Sequence, residues 1–99
     1  MKSVIQKNED ICYLCKLPAR FGEPLDCHHV FFGPLRKKSD QYELTVRLHH
    51  NSCHIFGENA VHKNAKINRA LQAHVQKKAM KHYGWTIDDF RSIFGKNFI

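Results

Sequence analysis

Cys12 and Cys15 stand two residues apart, and a second hook of the same span, His50 and Cys53, follows further along the chain. Two such hooks let four soft or borderline donors close a tetrahedron around one Zn²⁺. The first hook is the more specific of the two, since His49 or Cys27 competes with His50 for the fourth place. A second constellation is Asp26-Cys27-His28-His29, with His54 and His62 beyond it. Neighbouring residues on a strand point to opposite faces, so His28 and His29 must divide their work. One imidazole holds a divalent cation while the other stays unligated as a base, near its ordinary pKa of about 6.5. That division suits metal-assisted hydrolysis. Asp26, two residues before His28 on the same strand face, is placed to orient a ligand imidazole.

The whole composition leans the same way. Of the eight histidines six lie between residues 28 and 62, and all four cysteines stand at or before residue 53. Ninety-nine residues, 42% hydrophobic and 25% charged, suit one folded domain over 1–99 and a core small enough to gain from a structural metal. The polar start, MKSVIQKNEDI, has no signal-peptide core, and no apolar run approaches the roughly 18 residues of a membrane span. A cytoplasmic chain is expected, where an even cysteine count points to metal before disulfides. The net charge of +7 suits a polyanionic partner.

Several elements must position these groups. Residues 1–11 read as a loosely held arm, and Cys12 to Pro18 as the tight turn of a zinc knuckle. The bulky stretch over 25–32 predicts a strand that stops at Gly33-Pro34. GPLRKKSDQY, 33–42, reads as a polar, basic loop, and 43–48 alternates as a half-buried second strand. HHNSCHIFG is too irregular for a long element. A helix is expected over about 58–83, with Leu71, Val75, Ala79 and Tyr83 at i+4 spacing and Gly84 as its stop. Thr86 and Asp89 are spaced as a capping box for a last helix, with Trp85 and Phe90 as its hydrophobic staple and Gly95 as its end. Phe31, Phe32, Phe90, Phe94 and Phe98 are expected in the core. Arg36, Lys37 and Lys38 in the loop, with Lys63, Lys66 and Arg69 near the start of the long helix, flank the imidazoles as phosphate contacts. Lys77, Lys78 and Lys81 read as a solvated helix face, and His74 and His82 as background.

In this order, Cys12-x2-Cys15, His28-His29-Val30-Phe31, Leu44-Thr45-Val46-Arg47-Leu48, Cys53-His54 and Val61-His62 resemble the HNH endonucleases. More closely, HHVFFGP and the terminal FGKN resemble small HNH proteins encoded by bacterial viruses. The likeness covers most of residues 12–64. It implies an α+β fold: a small ββα-metal core (12–64) with a zinc knuckle, followed by C-terminal helices (65–99). It further implies His28 and His54 as ligands of a catalytic ion, Mg²⁺, Mn²⁺, Ni²⁺ or Zn²⁺. His29 becomes the general base. His62 becomes the third ligand, from the first turn of the helix, or a phosphate contact. The slot of the family's base-orienting Asn falls on Thr45. Cys12, Cys15, Cys53 and one of the 49/50 pair, His50 by its spacing, would hold a separate structural Zn²⁺. The activity implied is metal-dependent hydrolysis of DNA phosphodiesters, in the host bacterial cytoplasm if phage-encoded. The other readings are a non-catalytic, zinc-stabilised nucleic-acid-binding module, and an accessory packaging or recombination factor working with a phage or host protein.

Overall fold

The computed structural model describes residues 3–99; Met1 and Lys2, which begin the expected arm, lie outside the described residues. Strand β1 (Leu25–His29) pairs antiparallel with β2 (Thr45–His49), in register from Leu25 opposite His49 to His29 opposite Thr45. A two-stranded ribbon is marginal in water and needs a covering layer. The long helix and the last helix, described below, provide it. Leu71, Val75 and Ala79 of the one and Phe90 and Phe94 of the other join Val30, Phe31, Leu44, Val46 and Leu48 in one buried cluster.

The first strand ends at His29, earlier than the expected 25–32. Val30 N–H still donates to the Leu44 carbonyl at 3.2 Å, but Phe31 N–H turns to Ser39 Oγ at 3.3 Å. Gly33, at φ 64°, then carries the chain away from the sheet. Phe31 is buried among Phe90, Phe94 and Phe98, with ring centroids 5.5, 5.0 and 4.8 Å away. Phe32, expected beside it in the core, instead leaves 40% of its surface exposed.

Residues 33–42 are not a loop. A single 3₁₀ turn, Gly33–Leu35, runs into a short helix, α1 (Arg36–Gln41). Pro34 sits at the start of that turn, where its fixed φ is already helical and its missing N–H costs nothing. The fully buried Ser39 bolts α1 to the hairpin by donating to the Leu44 carbonyl at 2.7 Å. Glu43, at φ 58°, makes the turn out of α1 and delays β2 to Thr45, so the strand expected over 43–48 runs one residue further, to His49.

After β2 the chain makes one wide π-type turn, His50–Ile55. The long helix α2 (Ala65–Tyr83) starts at 65 rather than about 58, because Asn64 caps it: its Oδ1 accepts from Lys66 N–H at 3.1 Å and Ile67 N–H at 3.2 Å. Gly84 closes α2 in the left-handed region. The last helix, α3 (Ile87–Phe94), has the expected capping box, with Asp89 N–H on Thr86 Oγ1 at 3.1 Å and Thr86 N–H on Asp89 Oδ2 at 2.9 Å.

From Val4 on, the N-terminal arm is held, not loose. Gln6 Oε1 accepts from Arg47 N–H at 2.7 Å, while its Nε2 donates to the Asn8 and Ile11 carbonyls. Val4 N–H donates to the Glu43 carbonyl. The arm therefore covers the outer edge of β2, whose backbone groups would otherwise lack partners. Among the described residues no helix is long and apolar enough to cross a membrane.

Candidate metal centres

The knuckle closes by two backbone bonds, Cys12 N–H to the Leu17 carbonyl at 2.8 Å and Lys16 N–H to the Cys12 carbonyl at 2.9 Å, with Lys16 at φ 65°. It brings Cys12 and Cys15 against the end of β2 and the wide turn. There the donor atoms of Cys12, Cys15, His49 and Cys53 all lie within 4.8 Å of one another. His49, not the His50 that the x2 spacing to Cys53 predicts, is the fourth member. Because β2 runs through His49, this imidazole stays buried in the sheet, with Nδ1 3.1 Å from Cys15 Sγ. Its Nε2 is 2.8 Å from the Pro18 carbonyl, and donation there leaves Nδ1 as the ligating atom. His50 begins the wide turn and faces the other way, with Nδ1 2.6 Å from Asp26 Oδ2.

Three thiols and an imidazole form the donor set of a structural zinc site. Burial pushes the Cys12 thiol up, but hydrogen bonds from the Cys15, His49 and Leu14 backbone outweigh it and bring the group down to about 7. Burial pushes Cys53 up to about 12, with the nearby sulfurs adding to it. Two neighbouring thiols cannot both ionise here alone; a divalent cation between them removes that conflict.

A second cluster joins His28 of β1, His54 of the wide turn and His62, whose donor atoms also lie within 4.8 Å of one another. His28 Nδ1 is 3.2 Å from His54 Nε2. The His62 ring lies 5.2 Å from that of His28 and 4.8 Å from that of His54, centroid to centroid. His62 stands before the Asn64 cap and not in the first turn of α2. It reaches the cluster because Val61 and His62 N–H donate to the Cys53 and His54 carbonyls, both at 3.0 Å, which brings the ends of an eight-residue gap together. Gly57 sits in that gap where a Cβ would strike the Ser52 carbonyl.

Burial, then the charges of His54, His62 and His29, push His28 down to about 3. His62 is lowered too, by burial and His54. Both imidazoles therefore keep their lone pairs at neutral pH. His28 Nδ1 is the nitrogen beside His54, while its Nε2 is buried without a hydrogen-bond partner. Three converging imidazoles fit a divalent transition metal.

Asp26 does orient a member of this cluster, but not its strand-mate His28. Its Oδ2 lies 2.9 Å from His54 Nδ1, which aims His54 Nε2 at His28. Burial pushes the Asp26 carboxyl up, and the hydrogen bonds from His54 and His50 bring it below its ordinary value.

His29 stands outside the three-imidazole cluster. Its Nε2 lies 3.3 Å from Asp40 Oδ1 of α1. Thr45, directly opposite in the register, is buried with its Oγ1 unpartnered and makes no hydrogen bond to His29. Asp40 is hidden in the sequence because 33–42 has the composition of a polar loop; four residues after Arg36 on a helix, it shares a face with that guanidinium. A cleft of about 220 Å³ joins these groups, lined by His28, His29, His54 and His62 with Cys27, Phe32 and Arg36. Phe32 packs its ring 5.2 Å from His62 and 6.1 Å from His28. Arg36 lines this cleft and Lys37 its neighbour, whereas Lys38, Lys63, Lys66 and Arg69 do not line either.

Comparisons with protein-family models, with curated proteins and with solved structures find no match to this chain.

Proposed function

We propose that the chain is a metal-dependent DNA endonuclease of the HNH type, with β1, β2 and the segment through His54 and His62 as its ββα-metal core. The observation that carries this reading is the division among four imidazoles: His28, His54 and His62 converge, while His29 stands beside them, free of the cluster and held by a carboxylate.

His28, His54 and His62 would hold the ion, which when bound supplies charge stabilisation at the phosphate oxygens. His29 accepts the proton of the attacking water. With Nε2–H donated to Asp40, its Nδ1 lone pair is the one left for that proton. Arg36, in the cleft wall, binds a non-bridging phosphate oxygen and fixes the scissile group. Phe32 covers the ligand rings and limits solvent access to them. The Cys12–Cys15–His49–Cys53 site holds zinc for structure alone.

The missing bond between Thr45 and His29 favours a second reading, a zinc-stabilised nucleic-acid-binding module without cleavage. One substitution separates the two. His29→Ala is expected to abolish nicking of supercoiled plasmid in Mg²⁺, Mn²⁺, Ni²⁺ or Zn²⁺ while leaving DNA affinity and melting temperature close to those of the parent. Cleavage by the variant equal to the parent removes His29 as base; no cleavage by either protein leaves the binding module.

A further inference from the structure

A cleft of about 550 Å³ separates the N-terminal arm and the knuckle from the C-terminal part of α2, and it shares no lining residue with the cleft at His28. Lys7 of the arm and Lys16 of the knuckle stand on one wall; Lys78, Lys81 and His82 of α2 stand on the other. Among the described residues that line it there is no carboxylate. The nearby Glu9 is turned to Arg47, with 3.7 Å between Oε1 and Nε. Like charges facing each other across a concave wall repel, and concavity focuses their field on whatever enters. Such an arrangement is stable when an anion lies between the walls.

We propose that this cleft binds the sugar–phosphate backbone of a nucleic-acid strand, at a site separate from the imidazole cluster. Lys78 and Lys81 are three residues apart on α2 and follow one face of the helix, so the cations form a line and not a point. A line of ammonium groups fits a repeating phosphate chain better than one free phosphate. Tyr13 joins the walls: its hydroxyl lies 2.6 Å from His74 Nε2, and the Lys16 and Lys78 ammonium groups lie 4.2 and 5.9 Å from its ring centroid. Burial, then Lys78, Lys16 and Lys77, lower the His74 pKa, so this imidazole accepts from Tyr13 and holds the ring in place without adding to the repulsion. The lysines read from sequence as a solvated helix face thus acquire an opposite wall.

The experiment measures binding to the zinc-loaded chain with no other divalent ion added, so it does not depend on cleavage at the imidazole cluster. A fluorescein-labelled single strand, its duplex and poly-glutamate are titrated against the parent, Lys78→Gln/Lys81→Gln, and Arg91→Gln/Lys96→Gln on and after α3. The α2 pair is expected to weaken DNA binding by about tenfold and to make the log–log salt dependence shallower by about 2. The α3 pair is expected to change little. Equal loss in both pairs assigns the effect to net charge and overturns the site, as does no loss in either. A loss confined to poly-glutamate gives the cleft to an acidic polypeptide and also overturns it. If the α2 pair does not fold, Lys7→Gln/Lys16→Asn on the opposite wall makes the same measurement, Asn tolerating the left-handed backbone at 16.

Discussion

His49 and His50 are adjacent and chemically identical, and one residue of strand separates their tasks. His49 is the last residue of β2, fully buried, with one ring nitrogen on the Pro18 carbonyl and the other beside Cys15. His50 is half-exposed and tied to Asp26, on the side of the imidazole cluster. The two alanine variants must therefore differ in kind. His49→Ala leaves three thiols without their fourth donor, and it is expected to lose its zinc on dialysis and to melt well below the parent. His50→Ala keeps the donor set and is expected to retain about one tightly held zinc per chain. Elemental analysis of the dialysed variants checks this, and zinc retention by His49→Ala against loss by His50→Ala would restore the x2 hook. The adjacent pair His28 and His29 is divided by the same alternation, one ring turned into the cluster and one towards α1.

Among the elements, the wide turn His50–Ile55 carries the most, since Cys53 and His54 on it serve different clusters. Gly57 makes its closure possible: Gly57 N–H reaches the Asn51 carbonyl at 2.8 Å, and a side chain there would meet the Ser52 backbone. Gly57→Ala is expected to cost about 1–3 kcal/mol, as overpacking does, and to reduce retention of zinc and of the ion proposed at His28, His54 and His62 together. A variant that melts like the parent and holds both metals would show that the turn relaxes freely. This turn was hard to read because its shape comes from 53–54 pairing with 61–62, a contact no short window contains. The Cys12-x2-Cys15 knuckle and the Thr86–Asp89 box were legible, since each is closed by residues within one or two turns of each other. The strands were legible as elements but not at their ends, which Glu43 and Ser39 set through α1. That helix carries only Ser39 as a buried residue, so hydrophobic periodicity could not reveal it, and the link from Asp40 to His29 stayed hidden with it. Phe32 and Phe31 are alike in sequence; only the chain's exit at Gly33 sends one to the core and the other to the cleft.

At the scale of the whole molecule, the zinc donors are not an appendage to the core. Cys12 and Cys53 belong to the same buried cluster as Val46, Leu48, Val75 and Phe90. The four donors tie residues 12–15 to residues 49–53, and the arm that covers β2 leads directly into the first of them. A chain of this length buries a modest core, so a metal tie through it would contribute a large share of the net stability. Losing even 2 kcal/mol lowers the melting temperature of so small a domain by about 10 °C. A strong chelator at neutral pH is therefore expected to lower the melting midpoint by at least about that much. It should also strip any ion from His28, His54 and His62, by direct competition as well as through the turn that Cys53 and His54 share. The reverse does not hold: a weak chelator that removes only the ion proposed at His28, His54 and His62 is expected to leave the thiol site and the aromatic packing of Phe31 on Phe90 and Phe94 in place, and to lower the melting midpoint by less than loss of the zinc does. Circular dichroism melts beside metal analysis separate the two. An unchanged midpoint after complete loss of zinc would mean that the thiol cluster staples nothing, and that the hairpin is held by α2 and α3 alone.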